Sequence, residues 1–110
     1  MTDMTPDAIS TYFGAAERDD LNALIACFTE DALVSDERQT WRGHAAIRDW
    51  RENTATVYQY TLELLGIEPV DDASYAARTR LEGNFPGGVV ELVYRFTLRD
   101  GLISALHIAP

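Results

Sequence analysis

The hydrophobic pattern of the chain changes its period once, at about Tyr58, and this change limits the folds that the chain can adopt. Before Tyr58, apolar residues recur at the three- and four-residue spacing of a helix face. The first of these stripes consists of Ile9, Tyr12, Phe13 and Ala16. After Tyr58, apolar and polar residues alternate, as is typical of strands. Helices followed by consecutive antiparallel strands predict an α+β fold with the helices on one sheet face.

Cap and turn residues give the element boundaries. Thr5 and Pro6 favour the start of a first helix, and an aspartate after a polar break recaps a second one. Turn residues separate the later strands at positions 71–72, 84–88 and 100–101. We therefore predict helices over residues 6–17, 20–29 and 43–54, an acidic turn at 29–31, a short strand over 32–36, and four strands between residues 59 and 108.

The composition predicts one domain, over residues 1–110, and excludes several functions. Nine basic against eighteen acidic residues give a net charge of −9, which opposes binding to nucleic acid or to anionic membranes. The single cysteine excludes an internal disulfide, and the scattered histidines and carboxylates show no metal-ligand spacing. The polar N-terminus does not resemble a signal peptide, and no apolar run approaches membrane-spanning length. We expect a cytoplasmic protein without a metal or cofactor.

Asp36 is the strongest candidate for a reactive group. It alternates with Val34 on a short apolar strand, so it is predicted to face inward at the end of that strand. Trp41 and Trp50 follow shortly afterwards and would remove part of its hydration, which favours a general base. The alternative is an ordinary loop carboxylate.

The third predicted helix has one apolar face. Ile47 and Trp50 are expected to point inward, and the charged residues Arg48, Asp49 and Arg51 to point outward. Trp50 would then reach the same interior as Asp36.

Two further residues are candidate partners of Asp36. Tyr12 carries the one hydroxyl on the first apolar stripe, so it is either a core aromatic or a donor to an oxyanion. His107 alternates with Ile103 and Ala105 and is expected to face inward, either as a partly buried histidine or as a proton shuttle.

Three segments together resemble the SnoaL-like branch of the nuclear transport factor 2-like superfamily. They are FTEDA at 28–32, RGHAAIRDW at 42–50 and YRFTLRDGLI at 94–103. The resemblance implies a cone-shaped, curved, mixed but mainly antiparallel sheet wrapped around three N-terminal helices, with a blind pocket between them. It also implies a homodimer through the outer sheet face. SnoaL-like cyclases work without cofactor or metal, through an aspartate and a histidine that match Asp36 and His107.

The chain is also similar to ketosteroid isomerase of the same superfamily. The resemblance places that enzyme's oxyanion-binding tyrosine on Tyr12 and its aspartate base on Asp36. Its second oxyanion donor, a protonated aspartate, falls on Leu92, so this half of the oxyanion hole is missing from the sequence. The neighbouring Glu91 cannot replace it, because adjacent strand residues face opposite sides of the sheet.

Together these observations predict a pocket for a small, mostly apolar molecule. Besides Asp36, Tyr12 and His107, the expected ligand-binding residues are Val34, Trp41, Trp50, Thr79, Leu81, Leu92 and Tyr94. The protein would be an isomerase, cyclase or hydrolase-like enzyme, or a ligand-binding or structural module without activity. A recruitment domain with an exposed apolar patch is a third possibility.

The strand around Arg78 and Arg80 leaves two interpretations open. We expect Arg78, Arg80 and Glu82 to point outward as a solvated or dimer-facing row. The predicted homodimer interface is the strand face with Arg78, Arg80, Glu91, Val93 and Arg95. If they pointed inward, they would resemble the Asp-Arg-Asp water activation of limonene epoxide hydrolases.

Overall fold

The computed structural model describes residues 6–36, 38–57 and 59–110, and it confirms the predicted α+β fold class. The helices are α1 (Asp7–Arg18), α2 (Leu21–Ala26) and α3 (His44–Val57). The strands are β1 (Phe28–Asp36), β2 (Gln39–Arg42), β3 (Tyr60–Pro69), β4 (Ser74–Gly83), β5 (Val89–Arg99) and β6 (Leu102–Ala109). Thr5, a predicted helix cap, and Tyr58, where the period changes, lie outside the described residues.

The strands form one mixed sheet in the order β2-β1-β6-β5-β4-β3. The pair β1 and β6 is parallel, and all other neighbours are antiparallel. The parallel pair joins β1, which directly follows α1 and α2 in the sequence, to β6, the last strand. It therefore brings Asp36, at the end of β1, next to Ile108 near the end of β6.

The link between α1 and α2 has the predicted form. Asp19 adopts a left-handed conformation with φ 55° and closes α1 through backbone bonds to Ala15 and Ala16. Asp20 then caps α2, since its side chain accepts a hydrogen bond from the Ala23 N–H at 3.2 Å.

The predicted end of α2 was wrong. The helix ends at Ala26, and β1 already begins at Phe28, which pairs with Ile103 of β6. Residues 29–31, predicted as a turn, are a bulge inside β1, because five steps along β1 (28 to 33) oppose two along β6 (103 to 105). Phe28 is 1% exposed. Pairing and burial thus override the helical spacing of Phe28.

The predicted inward position of His107 was also wrong. Leu98 pairs with Ile103, but the next residue back, Thr97, pairs with Ala105, so Ser104 is an extra residue in β6. The extra residue shifts the alternation by one position. As a result Leu106 and Ile108 are buried, whereas His107 is exposed and pairs with the exposed Arg95.

The helices cover the inner face of the sheet, and an aromatic cluster joins the two layers. Tyr12 of α1 contacts Phe28, Phe96 and Tyr94, with ring centroids 5.9, 5.5 and 6.4 Å away. On β4, Ala77, Thr79 and Leu81 are buried.

The outward interpretation of β4 is the one that the structure supports. Arg78 and Glu82 are exposed and Arg80 is half-buried, on the face opposite the core. Arg80 forms an ion pair with Glu82 at 3.2 Å. In the described part of the chain, no helix is long and apolar enough to span a membrane.

Candidate functional site

A pocket of about 540 Å³ opens between α3, the ends of β1 and β2, and the inner face of β3 to β6. Six of the predicted site residues line it: Asp36, Trp41, Trp50, Leu81, Leu92 and Tyr94. Its volume is typical of cavities that hold a small organic molecule. The described chain therefore has a cavity where the sequence places its candidate base.

Asp36 is fixed in this pocket by backbone pairing and by one hydrogen bond. It pairs with Gln39 of β2 and with Ile108 of β6. The Trp50 indole Nε1–H donates a hydrogen bond to Asp36 Oδ2 at 3.1 Å. The Trp41 and Trp50 rings lie 6.2 Å apart at their centroids. A half-buried carboxylate is thus held against an aromatic wall.

Asp36 has no arginine partner among the described residues. Arg42 donates to the Asp31 carbonyl oxygen at 3.2 Å. Arg51 donates to the Tyr60 hydroxyl oxygen at 3.3 Å. In the described part of the chain, neither of these arginines forms an ion pair with Asp36.

Tyr12 lies in the core and is not among the residues that line the pocket. Its side chain is 1% exposed. Burial raises the pKa of the Tyr12 phenol well above its ordinary value, Arg51 partly opposes the shift, and Tyr60 and Asp36 add to it. The phenol therefore keeps its proton. The Tyr12 ring packs against Tyr94, which does line the pocket.

Two other predicted ligand contacts are also core residues. Val34 and Thr79 are both 0% exposed and do not line the pocket. The Thr79 hydroxyl donates to the Leu92 carbonyl oxygen at 3.0 Å, so its polar group is already satisfied. The prediction treated all inward residues as pocket residues, but much of the inner sheet face is packed core. With His107 on the outer face, the predicted meeting of Tyr12, Asp36 and His107 in one cavity does not occur.

Arg51 is the main pocket residue that the sequence interpretation missed, because it was predicted to point outward. Its guanidinium lies in the pocket wall, 5.6 Å from the centre of the Trp50 ring. Ile47, Trp50 and Arg51 have the i, i+3, i+4 spacing of one helix face, so the spacing could have identified it. Its charge led us to the opposite prediction.

Besides Asn53 of α3, the remaining unpredicted lining residues come from the sheet, its connections and the residues after β6. They include Gln39, Tyr60, Phe85, Val90 and Ile108. Tyr94, which was predicted, lies beside Tyr12, and burial raises the pKa of its phenol well above the ordinary value. Both Tyr60 and Tyr94 bring phenol groups to a largely apolar cavity.

No metal centre is found in the part of the chain that the structure describes. No three histidine, cysteine, aspartate or glutamate side chains there are grouped as metal ligands would be.

Comparison with solved structures identifies the fold in other proteins. A candidate polyketide cyclase from Sinorhizobium meliloti matches with a TM-score of 0.91 and 36% identity, over 96% of this chain and 95% of that chain. The epoxide hydrolase/cyclase-like enzyme SalBIII, described for pyran ring formation in salinomycin, matches with a TM-score of 0.80 and 24% identity, over 93% of this chain and 86% of that chain. The Mycobacterium tuberculosis protein RV0760c, in complex with estradiol-17β-hemisuccinate, matches with a TM-score of 0.79 and 15% identity, over 94% of this chain and 90% of that chain.

The last two likenesses, below 25% identity, concern the fold alone. No protein of curated function matches the sequence significantly. The family profile described as the SnoaL-like domain matches residues 9–106, which is most of the chain. The chain belongs to the SnoaL-like domain family.

Proposed function

We propose that this protein is a cofactor-free enzyme that binds a small, mostly apolar molecule and uses Asp36 as a general base. The position of Asp36 carries the proposal. Its carboxylate lies in a pocket of about 540 Å³ and accepts a hydrogen bond from the Trp50 indole. A carboxylate held in a cavity with mostly apolar walls is well placed to take a proton from a bound molecule.

The proposed reaction begins with removal of a proton from a carbon next to a carbonyl group, or with activation of a water molecule. The electrons left behind move onto the carbonyl oxygen, which becomes an oxyanion. Tyr60 and Tyr94 line the same pocket and are the phenols available to donate a hydrogen bond to that oxygen. Because burial raises the pKa of Tyr94, its phenol is protonated at neutral pH and can act as a donor.

The likeness to a candidate polyketide cyclase, at 36% identity over nearly the whole chain, supports this reaction class. Carbon–carbon bond formation in a cyclisation also starts with proton removal next to a carbonyl. Isomerisation and cyclisation share this first step with different substrates, whereas in a hydration the same carboxylate would take its proton from water.

A screen followed by one substitution tests the proposal. Small carbonyl compounds and epoxides are first ranked by the rise that they cause in the melting temperature, and hits are then followed for turnover by NMR. Asp36→Asn keeps the side-chain shape but removes the base, so it should lower turnover by about 10²-fold or more while ligands still bind. Asp49→Asn, an exposed position on α3, is the matched control and should retain full turnover.

Ligand binding without catalysis is the second candidate function. One observation favours it, since neither Tyr12 nor His107, the expected catalytic partners of Asp36, lines the pocket. In that case compounds would raise the melting temperature without being converted, and Asp36→Asn would change affinity alone.

A further inference from the structure

Arg51 is unusual among the arginines of this acidic protein because it lies in the pocket wall. Four ion pairs connect the described residues, through Arg18, Arg78, Arg80 and Arg99, and none of them includes Arg51. Its polar contact is the neutral Tyr60 hydroxyl, to which Nη1 donates at 3.3 Å. A half-buried guanidinium has lost part of its hydration, so a charged partner from outside the chain would restore what it lost.

Arg51 also borders a smaller cavity with acidic side chains in its wall, but in the pocket of Asp36 its hydrogen-bond partner is a phenol, which can itself donate a hydrogen bond. The Tyr60 oxygen accepts from Arg51, which leaves the Tyr60 proton available for another acceptor. Tyr94, a second phenol, lines the same pocket. A guanidinium with protonated phenols nearby matches the oxygens of an anion, because each ligand oxygen can accept several hydrogen bonds.

Trp50 separates this donor group from Asp36. Its indole N–H holds the Asp36 carboxylate, and its ring faces the Arg51 guanidinium at 5.6 Å. Asp36 is therefore held at the N–H edge of the Trp50 indole, and Arg51 lies over the ring of the same indole. The apolar part of the pocket wall includes one side chain from each of β4, β5 and β6, namely Leu81, Leu92 and Ile108.

We propose that Arg51 binds a carboxylate on the ligand, so that the substrates of this pocket are small apolar carboxylic acids. The inference rests on the proposed function, since it names the substrate class of the same pocket. Arginine is suited to this role because its planar fork makes two parallel hydrogen bonds to a carboxylate. A carboxylate fixed at Arg51 would orient the apolar part of the ligand along the pocket wall towards Asp36.

The first test uses two probes of nearly equal shape and different charge, 2-naphthoate and 2-naphthamide. Isothermal titration calorimetry with the unaltered protein at pH 7 should give tighter binding of 2-naphthoate by about 10-fold or more, as for a charge-assisted hydrogen bond. The net charge of −9 disfavours anions in general, so a preference for the carboxylate requires a local cation. This comparison needs no variant.

The second test assigns the preference to Arg51. Arg51→Gln should weaken 2-naphthoate binding by about 10-fold or more and leave 2-naphthamide binding nearly unchanged. Arg51→Lys keeps the charge without the planar fork, so its affinity for 2-naphthoate should lie between those of the unaltered protein and Arg51→Gln. Arg48→Gln is the matched control, since Arg48 lies on the same helix, contacts the Asn22 side-chain oxygen and does not line the pocket.

Every outcome of these two binding tests either supports or overturns the inference about Arg51. Equal binding of the two probes by the unaltered protein overturns the inference but leaves the proposed small-molecule pocket standing. A preference for 2-naphthoate that survives in Arg51→Gln, or disappears equally in Arg48→Gln, also overturns it. If neither probe binds, the pocket does not accept small apolar carboxylates and the inference fails, whereas the carbonyl and epoxide screen judges the proposed function separately.

Discussion

At the scale of single residues, the contact between Asp31 and Arg99 ties the bulge of β1 to the end of β5. Arg99 Nη1 donates to Asp31 Oδ2 at 3.3 Å, and Nη2 donates to Oδ1. Thr29 adds a hydrogen bond to Oδ1 at 2.9 Å. The hydrogen bond from Arg99, followed by that from Thr29, lowers the pKa of Asp31 from 3.8 to about 2. The two-point contact thus favours the charged carboxylate in the folded state.

This shift predicts how Arg99→Gln changes stability with pH. A folded-state pKa below the ordinary value means that the contact stabilises the protein above about pH 4 and that this contribution disappears as pH falls towards 2. Arg99→Gln should therefore be less stable than the unaltered protein at pH 6, and the difference should shrink towards zero near pH 2. Urea unfolding across this pH range measures it.

The effect should also weaken in 1 M salt, because both side chains are exposed. Arg48→Gln, whose partner is the neutral Asn22 side chain, should show no comparable change with pH. A stability difference for Arg99→Gln that stays constant from pH 6 to pH 2 would contradict the prediction.

Residue spacing explains which parts of the site could be predicted. Asp36, Trp41 and Trp50 were found because a carboxylate at the end of an apolar strand and two indoles stand close together in the sequence. Arg51 was missed because its charge was given more weight than its helical spacing from Ile47. Spacing therefore located the pocket better than polarity did.

At the scale of elements, the extra residue in β6 determines which side chains face the core. With Ser104 inserted, Leu106 and Ile108 are 1% and 5% exposed, while His107 points to the outer face. A regular alternation from Ile103 would have placed His107 inside instead. The apolar residues Leu106 and Ile108 on either side of His107 already show the shifted alternation, but the position of the extra residue follows only from the pairing with β5.

Deleting Ser104 tests this account of the bulge. The deletion should force β6 either to turn Leu106 and Ile108 outward or to change its pairing with β5 and β1. Losing the burial of two large aliphatic side chains costs about 1.5–3 kcal/mol each, so we expect a protein that is largely unfolded or strongly destabilised. Thermal unfolding followed by circular dichroism measures the change.

Ser104→Ala is the control, because it keeps the chain length and removes only the hydroxyl bond to the Thr97 carbonyl oxygen. It should cost about 1 kcal/mol or less. A deletion variant as stable as Ser104→Ala would show that the bulge does not set the register.

The same comparison shows how far the sequence predicts the elements. The three helices and the four later strands lie where their periods indicate, because each period persists over several turns or residue pairs. The α2–β1 boundary was misplaced, since Phe28 fits the helical stripe and yet pairs with Ile103 in the sheet. Pairing between residues far apart in the chain is not visible in a local pattern.

At the scale of the whole molecule, the outer face of β4 and β5 is a candidate self-association surface. Arg78 pairs with Val93 across the strands, and Arg80 pairs with Glu91, so basic, acidic and aliphatic side chains alternate there. A two-fold axis through such a surface can bring the basic side chains of one protomer to the acidic ones of its partner.

We predict a homodimer formed through this face. Sedimentation velocity at micromolar concentration should give the mass of two chains, and Val93→Arg should shift the protein towards the monomer by adding like charge at the interface. Thr11→Arg, an exposed substitution on α1 and so on the opposite side of the sheet, is the control and should leave the dimer intact. A monomer at this concentration would exclude the predicted interface.

The two indoles beside Asp36 also have an optical consequence. Trp41 and Trp50 are the only tryptophans in the sequence, and both line the pocket. All tryptophan fluorescence of the protein therefore originates from the wall of its candidate active site. Changes in emission wavelength or quenching on adding a compound report on the pocket itself, so the natural protein carries its own label for ligand entry.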